Sequence, residues 1–151
     1  LFFVVHVQHA SCTRRDRSAA SDVYKEQWEL RATNIYAHYA ANIRGINRLQ
    51  LSPMFTDEAT ESTMHADIIR KAIVKLGGIP VTERNPHEII HTTQYVEMLV
   101  HSLETETKAA AVYAEIMIEI ESVGDQDLYD AIEQIYLAEL RSLEELRLLM
   151  D

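Results

Sequence analysis

The sequence contains little that would interrupt a helix. Of its 151 residues, four are Gly and three are Pro. These are the residues least compatible with a helix interior, so their scarcity predicts long helices with few breaks. The single cysteine, Cys12, excludes an intrachain disulfide framework and a cysteine-based zinc site. We expect one domain with its own core, built from helices alone.

Excess positive charge and long apolar segments are also missing. The formal net charge is −10, which disfavours nucleic acid as a partner because binding phosphates requires a basic surface. An acidic protein attracts cations, although the same charge also simply favours solubility. No apolar run reaches the length of about 18 residues that a transmembrane helix needs, so no membrane span is expected.

The first 20 residues differ in composition from the rest. An apolar segment, Leu1–Val5, precedes the basic stretch Arg14–Arg17, and Asp16 is the only acid. This segment is interpreted in three ways: the remnant of a targeting signal, an arm that docks on a partner, or sequence upstream of the true start. We therefore divide the chain into an extension, residues 1–20, and a helical domain, residues 21–151. The expected location is cytoplasmic, or an organelle if the extension is a transit remnant.

Apolar residues recur at helical spacing in the first half of the domain. The first predicted helix spans about 21–49, and Pro53 is then expected to break the chain. The second begins with Thr56 as its N-cap. Gly77, followed by a second glycine, predicts its end in a left-handed C-cap.

The second half contains two more predicted helices. Asn85 and the Pro-His-Glu that follows it are typical of a helix start, with Asn as cap and Pro in the first helical position. This third helix runs to Val123, and a crossover, Val81–Arg84, leads into it. Gly124 and Asp125 are predicted to form the turn that follows, and the fourth helix spans Asp127–Met150. Four helices with short polar joints predict an all-α four-helix bundle.

A polar motif occurs twice. Glu29 and Tyr36 are seven residues apart, and Glu106 and Tyr113 repeat that pair 77 positions later. Each pair falls on one face of its predicted helix. The two halves of the chain therefore supply similar polar groups to the interior.

The same offset relates two further pairs that no longer match. Ser62 corresponds to Glu139, and His65 corresponds to Ser142, each 77 positions later. One half has kept the histidine of a Glu-x-x-His motif, and the other half has kept the glutamate.

One polar residue from each predicted helix lies on or beside an apolar face: Glu29, His65, Glu106 and Glu139. A buried carboxylate without a partner is costly, and three close together would take up protons unless a cation neutralised them. Carboxylate with imidazole suits iron, manganese or zinc. The alternative is a metal-free core, in which the glutamates hydrogen-bond to tyrosines, to His65 and to one another.

Residues 22–150 resemble the ferritin-like family, closest to its bacterioferritin and Dps-like branches. The resemblance implies an antiparallel four-helix bundle with one longer crossover between the second and third helices. Two helices of that family each supply a Glu to a di-iron site, and the other two each supply a Glu-x-x-His pair. The motifs that carry the resemblance are Glu29 to Tyr36, His65-Ala66-Asp67, Leu76-Gly77-Gly78-Ile79-Pro80, Glu106 with Tyr113, and Glu139.

Two positions depart from the family pattern. Ser62 stands where the second helix should carry Glu, and Ser142 stands where the fourth should carry His. The resemblance therefore implies an altered site for one or two iron ions, with Glu58 or Glu61 as a substitute carboxylate. No haem is expected, because Thr63 replaces the Met of the haem-binding branch. The implied site residues are Glu29, His65, Glu106 and Glu139, with auxiliary Glu61, Ser62 and Ser142 and with Tyr36 and Tyr113 nearby.

Several functions are compatible with these residues. The resemblance implies an iron-binding protein that oxidises and sequesters Fe(II), with ferroxidase-type activity left open. A metal-free bundle acting as a structural or interaction subunit is the main alternative, and a mononuclear or heterometal oxidase is a third. The resemblance also implies a homo-oligomer, either a dimer or a Dps-like shell.

Overall fold

A computed structural model describes residues 24–151, and within that range the chain is a four-helix bundle without strands. This confirms the predicted all-α architecture. The predicted extension, residues 1–20, lies outside the described residues. The helices are α1 (24–42), α2 (Arg48–Lys75), α3 (Tyr95–Val123) and α4 (Gln126–Leu148).

The first helix is shorter than predicted. Gly45 has a φ of 75°, a left-handed conformation that ends a helix and that glycine adopts without strain. The Arg48 side chain then donates a hydrogen bond of 2.9 Å to the carbonyl of Ile43, so the start of α2 satisfies the end of α1. The prediction that the first helix reaches Leu49 is wrong because Gly45 turns the chain.

The second helix begins at Arg48 rather than at Thr56, and Pro53 lies inside it. Leu51 and Phe55, on either side of the proline, are both buried in the core. Burying two such side chains is worth about 1.5–3 kcal/mol each, which offsets the cost of about 3 kcal/mol for an interior proline. The predicted break at Pro53 and the predicted cap at Thr56 are therefore wrong.

The end of α2 follows the sequence prediction. Gly77 has a φ of 85°, and its N–H donates to the carbonyl of Val74 at 3.0 Å. The N–H of Gly78 donates to the carbonyl of Ile73 at 2.8 Å. These two bonds form a Schellman C-cap.

The connection between α2 and α3 is longer than the predicted crossover at 81–84. The starts of α2 and α3 share one apolar cluster, and their later turns share another. The two helices therefore run in the same direction. The chain between Lys75 and Tyr95 returns along the length of the bundle, which agrees with the long crossover that the resemblance implied.

Asn85 does not begin a helix. Its backbone N–H donates to the carbonyl of Gln27 at 2.8 Å, and its side chain accepts from the N–H of His87 at 3.0 Å. Arg31 of α1 donates to the carbonyls of His87 at 3.2 Å and Glu88 at 2.8 Å. The predicted start of the third helix is wrong because these contacts hold the segment in an extended path along α1.

The last turn and helix match the sequence prediction closely. Gly124 has a φ of 75°, and the side chain of Asp125 accepts from the N–H of Leu128 at 3.1 Å. Asp125 therefore caps α4, whose bounds lie within two residues of those predicted. Within residues 24–151, no helix is long and apolar enough to cross a membrane.

The bundle interior is divided into three layers. One apolar cluster includes Tyr39, Phe55 and Met98, and the other includes Ile73 and Ile120. Along α2, α3 and α4, the buried polar residues fall between the parts of the helix that enter these clusters. The fold therefore places the polar side chains at mid-height, enclosed by apolar layers.

Candidate metal centre

The four principal residues named from the sequence occupy one layer of the bundle. Glu29 is 1 % exposed, His65 8 %, Glu106 3 % and Glu139 4 %. Each comes from a different helix, and each sits on the face that its helix turns toward the others. The structure therefore buries all four.

Three of these residues converge on one point. His65 Nδ1 lies 2.9 Å from Glu139 Oε1 and 3.8 Å from Glu29 Oε2. One potential ligand atom from each residue lies within 4.8 Å of the others. An imidazole nitrogen and two carboxylate oxygens thus form a compact donor set.

The two Glu–Tyr motifs pair reciprocally between the halves of the chain. The Tyr36 hydroxyl donates to Glu106 Oε1, and the Tyr113 hydroxyl donates to Glu29 Oε1. Because α1 and α3 run in opposite directions, the early Glu of one helix lies beside the later Tyr of the other. Each tyrosine therefore contacts the glutamate of the other half.

The carboxyl groups resist ionisation. Burial, followed by the charge of Glu139, raises the pKa of Glu106 well above its usual value. Burial, followed by the charge of Glu29, raises the pKa of Glu139 to about 8. Burial also raises the pKa of the Tyr36 and Tyr113 hydroxyls, so both remain donors at neutral pH. In the absence of a cation, Glu106 and Glu139 therefore retain protons near neutral pH.

The two serine positions lie beside this layer. Ser62 is buried, and the Ser142 hydroxyl donates to Glu58, with its oxygen 3.3 Å from Oε2 and 3.4 Å from Oε1. Burial and the charge of Glu106 raise the pKa of Glu58 to about 7. Of the two proposed substitute carboxylates, Glu58 therefore reaches the Ser142 side of the layer.

Glu61 occupies a different position. Its carboxylate lies 3.7 Å from His65 Nε2, and its side chain is 41 % exposed. It contacts the ring nitrogen that faces away from Glu29 and Glu139. Glu61 thus supports the orientation of His65 from outside the layer.

The donor set fits a single divalent ion. Glu139 Oε2 is buried, and among residues 24–151 no N–H or hydroxyl group donates to it; without a cation, and apart from His65 at Oε1, only the protonated carboxyl of Glu106 can hydrogen-bond to Glu139. A buried acceptor without a donor is costly, and a cation would satisfy it. Two carboxylates and an imidazole suit iron, manganese or zinc. On the side of the layer that holds Glu106 and Glu58, the neighbouring side chains are serines. A serine hydroxyl is a weaker metal ligand than a carboxylate or an imidazole.

Comparison with known families agrees with this arrangement of helices. A family model for the ferritin-like domain matches residues 26–151. The chain belongs to the ferritin-like family. No curated protein matches it.

Solved structures share this ferritin-like fold at low sequence identity. A ferritin-like diiron-carboxylate protein from Bacillus anthracis is 24% identical, with a TM-score of 0.87, covering 91% of this chain and 98% of its own. A Dps protein from Bacillus brevis is 14% identical, with a TM-score of 0.85 and coverage of 92% and 98%. A dodecameric, bacterioferritin-related thioferritin from Bacteroides fragilis is 21% identical, with a TM-score of 0.81 and coverage of 88% and 83%.

One buried charge in the ferritin-like bundle was missed by the sequence analysis. Lys25 is fully buried, and its ammonium group donates to the carbonyl of Ala109 on α3. It also lies over the ring of Tyr113. Lys25 is one turn before Glu29, so extending the inward face of the helix by four residues would have identified it.

A second missed group joins α1 to the far end of α2. Glu26 is fully buried, and its carboxylate accepts from Arg70 at 2.8 Å and from the N–H of Val81 at 3.0 Å. Because its oxygens are occupied by these donors, Glu26 is a structural residue. Glu26 directly follows Lys25, and helical periodicity does not predict that two consecutive charged residues both face inward.

Proposed function

We propose that this ferritin-like protein binds Fe(II) as a substrate inside its bundle. Glu29, His65 and Glu139 would supply the ligands, and Glu106 would complete the far side. The observation that carries the proposal is the convergence of three buried ligand atoms, from three helices, within 4.8 Å. The name of the Bacillus anthracis neighbour, a diiron-carboxylate protein, supports iron as the metal.

The residues around the three ligands have distinct roles in this proposal. Tyr113 holds one oxygen of Glu29 through its hydroxyl, and the second oxygen of Glu29 faces His65. Glu61 lies 3.7 Å from the outer nitrogen of His65, so its negative charge favours a proton on Nε2, which would leave the Nδ1 lone pair for the metal. The apolar clusters above and below exclude water. Bound Fe(II) would lose one electron on oxidation, with oxygen or a peroxide as the acceptor.

An anaerobic titration tests whether the site binds iron. Calorimetry with Fe(II) is expected to give about one equivalent per chain for the wild type. Glu139→Gln and His65→Ala should each weaken binding by about tenfold or more, equivalent to about 1.4 kcal/mol. Glu119→Gln, at an exposed position on α3, is the matched control and should bind like the wild type. Absence of binding by the wild-type protein would refute the proposal.

Oxidation is tested separately. After air is admitted to the Fe(II)-loaded protein, the absorbance of Fe(III) should rise faster than in a protein-free solution. The Ser62→Glu/Ser142→His variant, which restores the family pattern, should oxidise iron faster than the wild type. Equal rates for the wild type and buffer would limit the function to binding.

A metal-free bundle serving as a structural or interaction subunit is the second candidate. It is favoured by the internal hydrogen bonds, since Tyr36, Tyr113 and His65 already contact the three glutamates. This candidate predicts that the crystal structure is unchanged after iron soaking. The first candidate predicts electron density for a cation among Glu29, His65 and Glu139.

Assembly into a homo-oligomer is part of the proposal. The Bacteroides fragilis neighbour is described as dodecameric, and Met64 of α2 is 56% exposed on a surface groove between α1 and α2. Native mass spectrometry should give a dimer or a larger closed assembly, whereas a monomer at micromolar concentration would contradict it. The cytoplasmic location, the absence of haem and the number of ions stay predictions.

A further inference from the structure

Lys25 carries a buried charge that no ion pair neutralises directly. Within residues 24–151, no carboxylate oxygen lies within 4.0 Å of its ammonium nitrogen. The group is held instead by the Ala109 carbonyl and by the face of the Tyr113 ring. The hydroxyl at the other end of that ring donates to Glu29. One aromatic side chain therefore separates the ammonium group from the carboxylate layer.

Burying an ammonium group is unfavourable unless nearby negative charge compensates for it. The carboxylates that act on Lys25 come from three helices. Burial lowers the pKa of Lys25 to about 7, and the charge of Glu29, followed by those of Glu139, Glu106 and Glu115, opposes this effect. Three of these four residues form the candidate metal centre. The carboxylates of that centre therefore partly offset the cost of burying the Lys25 ammonium group.

A charge count connects Lys25 with the missing glutamate at position 62. The family arrangement places four carboxylates around two metal ions, so four negative charges face the four positive charges of two divalent ions. Here Ser62 leaves three buried carboxylates: Glu29, Glu106 and Glu139. One divalent ion and one ammonium group supply three positive charges. Glu58 is only partly buried, and water screens its charge.

We infer that the Lys25 ammonium group is a built-in counter-cation that takes the place of the second metal ion, so that this bundle binds one divalent ion. The inference rests on the proposed metal site for the identity of the first ion. Lys25 is a positioning and selectivity residue, since it acts on the carboxylates through charge. With Lys25 present, the Ser62→Glu/Ser142→His variant should still bind the second metal ion weakly, so its gain in oxidation rate should be smaller than that of the same variant with Lys25→Met.

The test compares variants in which all family ligands are present. Ser62→Glu/Ser142→His retains Lys25, and the same variant with Lys25→Met lacks the buried charge. In anaerobic titrations with Fe(II) and with redox-inert Zn(II), the second ion should bind at least about tenfold more tightly to the protein with Lys25→Met. Lys25→Arg in the same background keeps the charge and should bind the second ion weakly. Equal affinity for the second ion with and without Lys25 would overturn the inference.

A metal-free measurement separates this inference from the proposed function. In the presence of a chelator, Lys25→Met should increase the unfolding equilibrium constant more in the wild-type background than in Glu29→Gln, because Glu29 lies across the Tyr113 ring from Lys25 and is the carboxylate that most favours its charged form. A difference of about tenfold or more between the two backgrounds is expected. Equal effects would show that Lys25 only packs or hydrogen-bonds. Lys25→Gln provides a second uncharged variant if the methionine protein does not fold. If the wild-type protein binds no metal but the two backgrounds differ, the proposed function is refuted and the role of Lys25 as a counter-cation of the carboxylates stands.

Discussion

The reciprocal contacts of Tyr36 and Tyr113 connect the two halves of the chain through single hydrogen bonds. Each hydroxyl is fully buried and has a carboxylate oxygen as its acceptor. A buried carboxyl oxygen that loses its donor costs about 1–3 kcal/mol. These two tyrosines therefore fix which glutamate oxygens remain free for other contacts.

Removing one of these hydroxyls should destabilise the protein measurably. Tyr36→Phe leaves Glu106 Oε1 without its donor in a buried environment. We expect a loss of about 1–3 kcal/mol in the free energy of unfolding, measured by urea denaturation in a chelator. Tyr24→Phe, at a tyrosine that is 46% exposed, is the control and should change stability by less than about 0.5 kcal/mol. A neutral effect of Tyr36→Phe would contradict the hydrogen bond.

The raised pKa values of Glu106 and Glu139 predict how the stability of the metal-free protein depends on pH. Their folded-state pKa values lie above the ordinary value of 4.5, with that of Glu139 at about 8. The folded protein therefore binds more protons than the unfolded chain across this window. Their contribution to stability is fully present below about pH 4.5 and is lost as the pH rises toward 8.

Urea denaturation at pH 5, 6, 7 and 8, with a chelator present, measures this effect. Stability should fall as the pH rises, by up to about 1.4 kcal/mol per pH unit for each group that titrates. Glu139→Gln should flatten the dependence, because the amide does not ionise. A stability that increases from pH 5 to pH 8 would contradict the raised pKa values.

Among the helices, glycine-based caps explain where the sequence prediction succeeded. Gly77 and Gly124 end α2 and α3 in the left-handed conformation, and both were recognised from the sequence. Gly45 does the same for α1, but it lies in a segment whose apolar spacing continues through Ile46. That residue is 80% exposed, so periodicity alone extended the first helix too far.

Substitution at Gly77 tests the cost of the left-handed cap. No atom would lie within 4 Å of an added Cβ, so the effect of Gly77→Ala comes from the backbone alone. We expect a loss of about 1–2 kcal/mol, measured by thermal or urea unfolding. Gly77→Asn should cost less, because Asn tolerates this conformation better. An equal cost for both variants would point to a cause other than backbone conformation.

The crossover shows where tertiary contacts overrode a local helix signal. Asn85 and Pro86 are typical of a helix start, yet the helix begins only at Tyr95. Arg31 donates to two carbonyls of this segment and to the hydroxyl of Thr105 at 2.7 Å. These bonds join three parts of the chain that are far apart in sequence. No local pattern could have indicated them.

The whole bundle combines two apolar clusters with one polar layer between them. The apolar clusters supply the favourable burial that folds the chain, and the polar layer opposes it until its charges are compensated. Binding of a cation only to the folded protein should therefore raise its stability.

A thermal unfolding experiment with added metal checks this coupling. At a free Zn(II) or Fe(II) concentration of 100 times the dissociation constant, stability should rise by about 2.7 kcal/mol. For a domain of this size, each kcal/mol corresponds to roughly 2–4 °C in Tm. Glu29→Gln/His65→Ala should lose the increase, and Glu119→Gln should retain it. An increase that persists in the ligand variant would place the metal elsewhere.

The sequence by itself determined the number and type of the helices and four of the polar residues that enter the core. Helical periodicity specifies the inward face of a helix, so Glu29, His65, Glu106 and Glu139 were predicted as buried, and the structure confirms it. Their role as metal ligands stays a prediction. Only the tertiary structure decided which of them meet, because pairing depends on the direction and relative height of the helices. It joined Tyr36 to Glu106, extended the crossover along α1, and placed the charge of Lys25 one aromatic ring away from the carboxylates.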